Sequence, residues 1–163
     1  MTPFYPLQEA LFTVACGSRL APDGRLTLPV APMISVIPVA ERALSRSIQD
    51  LERSTRTIRH VLDRVGRSAG QSAIASADPA RHGALVDRLE DLRRRGERID
   101  DALFGTRADL ERLHALDARL ASAEASGFDR LTEDRAFIDH VLLVAASEGG
   151  LRGHGASCQG GAP

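Results

Sequence analysis

Two long segments of the chain carry the same heptad pattern of apolar residues. Within residues 38–67, positions spaced alternately four and three apart are mostly apolar: Leu44, Ile48, Leu51, Thr55, Ile58, Leu62 and Val65. Within residues 79–125 the alternation continues through Leu85, Leu89, Leu92, Gly96, Ile99, Leu103, Thr106, Leu110, Leu113, Asp117 and Leu120. This spacing places the side chains along one side of an α-helix. It therefore predicts two long helices that pack along an apolar seam.

The boundaries of these helices are set by glycine and proline. A Gly/Ser/Ala-rich segment from Gly66 to Asp78 is expected to interrupt the first helix, and Asp78-Pro79 is typical of an N-cap followed by proline. Gly105-Thr106 could separate two helices, but the heptad phase runs through the pair without an added residue. We therefore expect one second helix of about 46 residues, or about 69 Å, either straight or kinked at Gly105.

An antiparallel pairing of the two patterns predicts a specific register. It brings Ile58 opposite Leu89 and Leu51 opposite Gly96. In this register the weak seam positions, Thr55 and Gly96, each face a leucine, so no layer is empty on both sides. The two heptad patterns thus predict a helical hairpin with one matched seam.

The distribution of charge agrees with pairing inside one molecule. Residues 41–77 contain seven arginines and four acidic residues, whereas residues 78–124 contain nine arginines and eleven acidic residues. Opposite net charges favour contact between the two segments over contact between two copies of the first. The predicted register also places Glu52 near Arg93.

Residues 1–37 differ in composition from the helical segments, because they contain most of the eight prolines and few charged residues. Pro6 can open a short helix that ends at Gly17. The tetrad 21–24 (Ala-Pro-Asp-Gly) suits the turn of a small β-hairpin. The prolines that follow, Pro29, Pro32 and Pro38, are expected to keep the chain extended as a strap along another surface.

A last helix is predicted from Thr132, its expected N-cap, to Gly149-Gly150. It is apolar on most sides, which indicates burial on more than one face. It could fold onto residues 106–124, insert between subunits or contact a partner. Asp139 and His140 interrupt it. One hypothesis is a partly buried polar pair that fixes the helix register, and the alternative for His140 is an ordinary surface or satisfied-core histidine.

These patterns predict an all-α fold: an antiparallel helical hairpin or coiled-coil-like bundle with a short irregular or β-hairpin N-terminal segment. Residues 1–37 form the proline-rich strap, residues 38–148 the helical domain, and residues 149–163 a flexible Gly-rich tail. Because a single hairpin leaves apolar surface uncovered, we expect an oligomer or another protein partner.

Composition excludes several classes of function. Twenty-one basic and 22 acidic residues give a net charge of -1, which argues against a general attraction to nucleic acid or to anionic membranes. No apolar run approaches the ~20 residues of a transmembrane segment. The stretch from Leu11 to Cys16 lacks the flanking positive charge of a lipoprotein signal. The cytoplasm is therefore the default location, with both cysteines reduced.

One candidate interaction face stands out on the first helix. Arginines recur mostly on the side opposite the seam: Arg42, Arg46, Arg53, Arg56, Arg64 and Arg67. This face could contact an acidic protein, an RNA backbone or anionic lipid. The alternative interpretation is a solvated arginine-rich face, since acidic residues dilute it and no aromatic residues are interleaved with it.

Residues that could carry chemistry are few. Glu111 and His114 have the Glu-x-x-His spacing of di-iron bundles, but the chain has no second copy. His140 beside Asp139 resembles an oriented base without a nucleophile nearby. The histidines and cysteines lack zinc-ligand spacing. We therefore predict no catalytic residue, no metal and no cofactor, and do not expect an enzyme.

The function predicted from sequence is a non-enzymatic protein–protein interaction, as a scaffold, adaptor or accessory subunit that acts through the hairpin. One alternative is a small helical-bundle metal- or ligand-binding protein with a site built from Glu111, His114 or His140. A second is a nucleic-acid-associated protein that uses the arginines of the first helix.

Overall fold

The computed structural model describes residues 6–75 and 78–150, and most of the predicted tail lies outside these ranges. The described residues form four helices and three short strands. In chain order these are α1 (Leu7–Gly17), β1 (Arg19–Leu20), β2 (Leu26–Pro29), α2 (Val30–Ala75), α3 (Pro79–Ala125), β3 (Arg130–Glu133) and α4 (Arg135–Glu148). The predicted all-α class, with a helical hairpin and a short β-hairpin near the N-terminus, is confirmed.

Two compact units divide the chain. The core unit comprises Met1–Ser45 and Asp109–Pro163, and the hairpin unit comprises Arg46–Ala108. Helices α2 and α3 each contribute residues to both units. None of the helices in the described ranges combines the length and apolar character needed to cross a bilayer.

The start of α2 corrects the predicted extended strap. The helix begins at Val30, and its buried residues recur at helical spacing: Val30, Met33, Val36, Ile37, Ala40 and Leu44. Pro32 lies in the first turn, where its missing N–H has no intrahelical partner in any case. Pro38 is exposed inside the helix. Burial of this apolar face outweighs the cost of an internal proline.

The three strands form an antiparallel sheet in the order β1-β2-β3. The predicted β-hairpin forms β1 and β2, and Gly24 takes the positive φ of +78° that its turn requires. Strand β3 is an addition that the sequence did not predict. It pairs Thr132 with Thr27 of β2, so Thr132 is a strand residue rather than the N-cap of the last helix.

Helix α4 begins after Asp134, whose carboxylate accepts a hydrogen bond from the Phe137 backbone N–H. Four of its residues are buried in the core unit: Phe137, Ile138, Val141 and Ala145. The same cluster contains Leu113, Leu116 and Leu120 of α3. Of the three predicted placements of this helix, packing onto residues 106–124 is therefore confirmed. Asp139 and His140 are exposed, so the hypothesis of a partly buried polar pair is wrong and His140 is a surface histidine.

In the hairpin unit, α2 is longer than predicted, whereas α3 has the predicted length. Helix α2 continues through Gly66 and Gly70, so the predicted break at Gly66 is wrong. Val65 and Ala69 are buried there, which shows that the segment packs as a helix. Helix α3 passes through Gly105 without interruption, as predicted.

The register of the hairpin differs from the prediction by one heptad. Ile58 contacts the α3 backbone at Gly96, and not Leu89: a Cβ at position 96 would lie 3.5 Å from Ile58 Cγ2. The Thr55 hydroxyl donates to Asp100 over 3.4 Å. The cause is the position of the helix ends, since α2 runs to Ala75 and α3 begins at Pro79, which moves the hairpin's midpoint toward α3. A heptad seam matches equally well after a shift of one heptad, so the helix ends decide the register.

Candidate interaction surface

A groove runs between α2 and α3 in the hairpin unit. Its volume is about 950 Å³, and one side opens to solvent. It is lined by Asp50, Arg53, Ser54, Thr57, Ile58, Arg95, Arg98 and Ile99. Half-buried Ile58 and Ile99 supply the apolar part of the lining. We call this feature the arginine groove.

The local sequence shapes the lining of the groove. Gly96 lies on the seam of α3, and a Cβ at this position would be in ordinary van der Waals contact with Ile58 Cγ2, at 3.5 Å. The Thr57 hydroxyl donates to the Arg53 carbonyl over 3.1 Å. The hydroxyl therefore stays close to its own helix. Ile58 and Ile99 are therefore left as the apolar part of the lining between the polar side chains.

The arginines of the groove are held only by weak, exposed contacts. Arg53 pairs with Asp50 at 3.1 Å, and Arg95 pairs with Asp91 at 2.9 Å. Both pairs are formed by side chains that are more than half exposed. Exposed pairs of this kind contribute about 0–1 kcal/mol each, so an incoming anion can replace the aspartate at low cost.

The predicted arginine face is only partly brought together. Its members Arg42, Arg46, Arg53, Arg56, Arg64 and Arg67 are all exposed on α2, with Arg42 in the core unit and the others in the hairpin unit. Of the six, Arg53 lines the groove. Arg95 and Arg98 come from α3, and the sequence did not predict them because their approach to Arg53 depends on the register.

Two of the other arginines make contacts within α2. Arg64 Nη2 lies 3.4 Å from His60 Nε2, and Arg67 Nε donates to the Asp63 carbonyl over 3.3 Å. These contacts join residues one helical turn apart, as expected for a solvated helix face.

The residues proposed for a metal or ligand site take other partners. His114 Nε2 lies 3.1 Å from Glu41 Oε1 at the surface, while Glu111 is exposed. His140 Nε2 lies 3.2 Å from Asp109 Oδ2. Across residues 6–75 and 78–150, no three His, Cys, Asp or Glu side chains are placed to hold a metal ion.

A second surface of the hairpin unit is apolar. Phe104 is 78% exposed and Val86 is 43% exposed, both on α3. They are separated by about five turns of an ideal helix and therefore lie on the same side of α3. Arg95 lies about half a turn around the helix from Phe104, so the apolar surface and the arginine groove occupy different sides of α3.

The carboxyl of Asp134, at the start of α4 in the core unit, has a lowered pKa. The hydrogen bond that Arg112 donates to Asp134, at 3.2 Å, lowers the pKa of the Asp134 carboxyl. Partial desolvation raises this pKa, and hydrogen bonds from the Phe137 and Ala136 backbone N–H groups lower it further. The Arg112 guanidinium also lies 4.2 Å above the centre of the Phe137 ring. These contacts fix where α4 begins on α3.

Cys16, on α1, is disulfide-bonded. The prediction that both cysteines are reduced is therefore wrong for Cys16. The chain's other cysteine, Cys158, lies outside the described residues.

Comparison with known proteins adds no functional class. No protein-family model matches the chain, and neither the curated proteins nor the solved structures yield a match.

Proposed function

We propose that the protein is a non-enzymatic interaction subunit, a scaffold or adaptor that binds another protein through its helical hairpin. The observation that carries this proposal is the exposure of Phe104, 78% of whose surface faces solvent in the middle of α3. Aromatic side chains, phenylalanine included, are enriched at protein interfaces relative to the rest of the protein surface. An exposed phenylalanine at the centre of a long helix is therefore a natural anchor for a partner.

Val86 extends the same side of α3 and supports a helix-length contact. The two side chains are about 27 Å apart along an ideal helix, with charged residues between them. Apolar anchors separated by polar positions are typical of surfaces that bind a helix or an extended segment of another protein. We propose a different protein, rather than a second copy of this chain, as the occupant.

The experiment compares tagged wild-type protein with the double variant Phe104→Ser and Val86→Ser, both expressed in the native source. Each is purified under mild conditions, and co-purifying proteins are quantified by mass spectrometry. We expect at least one stoichiometric companion with the wild type, reduced about tenfold or more with the double variant. Recovery of the same companions in equal amounts with both proteins contradicts the proposal.

A matched control removes an exposed leucine elsewhere. Leu143 on α4 is 66% exposed, so Leu143→Ser removes a similar exposed apolar side chain from the core unit. This variant should retain the companion. Light scattering on the purified chain then separates the alternatives: a discrete homo-oligomer that Phe104→Ser dissociates identifies self-association instead of a second protein.

The cytoplasmic location predicted from sequence stays a prediction. The disulfide at Cys16 argues for the opposite, since cytosolic thiols are kept reduced and disulfides persist mainly in oxidising compartments. Fractionation of the native source tests the location of the protein. Rapid thiol blocking of the same fractions shows whether Cys16 is reduced or disulfide-bonded.

A further inference from the structure

We infer that the arginine groove between α2 and α3 binds an acidic segment of a partner protein, one that inserts an apolar side chain between its carboxylates. This inference rests on the proposed function and specifies the chemistry of the partner. It uses a side of the hairpin different from the Phe104 surface, so the two can be tested separately.

The charge of the groove selects an anionic ligand. Three guanidinium groups line it, those of Arg53, Arg95 and Arg98, against the single carboxylate of Asp50. A guanidinium donates two parallel hydrogen bonds to a carboxylate, which gives arginine clusters both charge and shape selectivity for acidic side chains. The pairs with Asp50 and Asp91 are exposed and exchange readily for an incoming carboxylate.

The apolar part of the groove selects a peptide over a simple anion. Ile58 and Ile99 line the groove together with the arginines. An inorganic anion would gain nothing from these two side chains. A segment with an apolar residue flanked by Asp or Glu would bury that residue against them while its carboxylates contact the arginines.

The shape of the groove also favours a protein segment over a small molecule. Small-molecule sites bury most of the ligand surface, whereas this groove is open along one side. No aromatic side chain lines it, so it offers no platform on which a nucleic acid base could stack. An acidic helix or extended segment, with one face in the groove and one in water, fits these properties.

A selection experiment tests this inference without knowledge of the natural partner. Phage-displayed random peptides are selected on the intact wild-type chain. We expect the enriched peptides to contain an apolar residue flanked by Asp and Glu. A synthetic copy of the most enriched peptide is then measured by fluorescence anisotropy, and its affinity should fall as salt is added.

The decisive variant is the triple substitution Arg53→Glu, Arg95→Glu and Arg98→Glu, which should weaken peptide binding about tenfold or more. The control triple, Arg56→Glu, Arg93→Glu and Arg94→Glu, changes charge equally on the same helices outside the groove lining, and it should bind within about twofold of wild type. If circular dichroism shows that the glutamate triple is unfolded, the Arg→Gln version replaces it.

Three outcomes overturn the inference: no enriched peptides, enriched peptides that lack acidic residues, or equal loss of binding in both triples. An oligouridylate RNA probe is measured in parallel. If it binds more tightly than the peptide and loses binding only in the groove triple, the groove is a nucleic acid site. None of these results affects a companion protein that depends on Phe104, so failure here is distinguishable from failure of the proposed function.

Discussion

Ile58 packs against the backbone of Gly96, where a Cβ would lie 3.5 Å from Ile58 Cγ2. This contact identifies the register of the hairpin unit. The same register aligns Thr55 with Asp100 and brings Arg107 Nη2 within 2.7 Å of Glu52 Oε1. It also determines that Arg53 shares a groove with Arg95 and Arg98.

Gly96→Ala should stabilise the protein. Alanine is favoured over glycine inside a helix by up to about 1 kcal/mol, and its methyl group would meet Ile58 at an ordinary contact distance of 3.5 Å. We expect the free energy of unfolding in urea to rise by about 0.5–1 kcal/mol.

Gly105→Ala is the matched control, because nothing lies within 4 Å of a Cβ at that helical position. It reports helix propensity alone. A loss of stability in Gly96→Ala, with a gain in Gly105→Ala, would show that Ile58 and the α3 backbone lie closer together than described.

Core and surface positions of α3 should respond differently to truncation. Leu113 is completely buried among the core-unit residues, so Leu113→Ala should cost about 2–5 kcal/mol of unfolding free energy. Phe104 is 78% exposed, so Phe104→Ser should change stability by about 0.5 kcal/mol or less. Urea denaturation of both variants measures the contrast. A large destabilisation by Phe104→Ser would mean that its ring is buried and not available to a partner.

The charge of Asp134 should contribute a pH-dependent part of the stability. The bond from Arg112 lowers the pKa of this carboxyl in the folded state below its usual 3.8, so the ionised form stabilises the fold. That contribution is present above pH 3.8 and is lost as pH falls through the lowered folded-state pKa.

Asp134→Asn isolates this effect, because asparagine keeps the N-cap hydrogen bond and lacks the charge. We expect the variant to melt about 2–4 °C below wild type near neutral pH. The difference should vanish in strong acid, where wild-type Asp134 is also neutral. A gap in melting temperature that persists unchanged in acid would indicate a packing effect instead of a charge.

Local periodicity predicted most of the helices correctly. The unbroken phase through Gly105 indicated a single α3, and the turn sequence before Gly24 indicated the β-hairpin. The start of α2 was also visible in the spacing of Val30, Met33 and Ile37, but the neighbouring prolines favoured an extended chain. Tertiary burial of that apolar face overrides the local preference of proline.

Features that depend on contacts between distant residues could not be predicted in this way. Strand β3 exists because Thr132 pairs with Thr27, far away in the chain. The arginine groove exists because the register places Arg53 beside α3 arginines. Two registers one heptad apart satisfy the same apolar pattern, and the end of α2 and the start of α3 distinguish them.

The register is therefore the central structural claim, and disulfide crosslinking tests it most directly. One variant carries Ile58→Cys and Gly96→Cys, and the other carries Ile58→Cys and Leu89→Cys, the pair matched by the heptad pattern alone. Both retain the native cysteines, and after oxidation an endoproteinase that cleaves before aspartate separates the three positions into distinct peptides for mass spectrometry.

We expect the disulfide between positions 58 and 96 to form rapidly in monomeric protein, because a Cβ at position 96 would lie 3.5 Å from Ile58 Cγ2, so the two side chains meet. The 58–89 pair should stay largely reduced, since one heptad moves a residue about 10 Å along a helix. Rapid formation of the 58–89 bond, with the 58–96 pair unreacted, would contradict the register and remove the structural basis of the arginine groove.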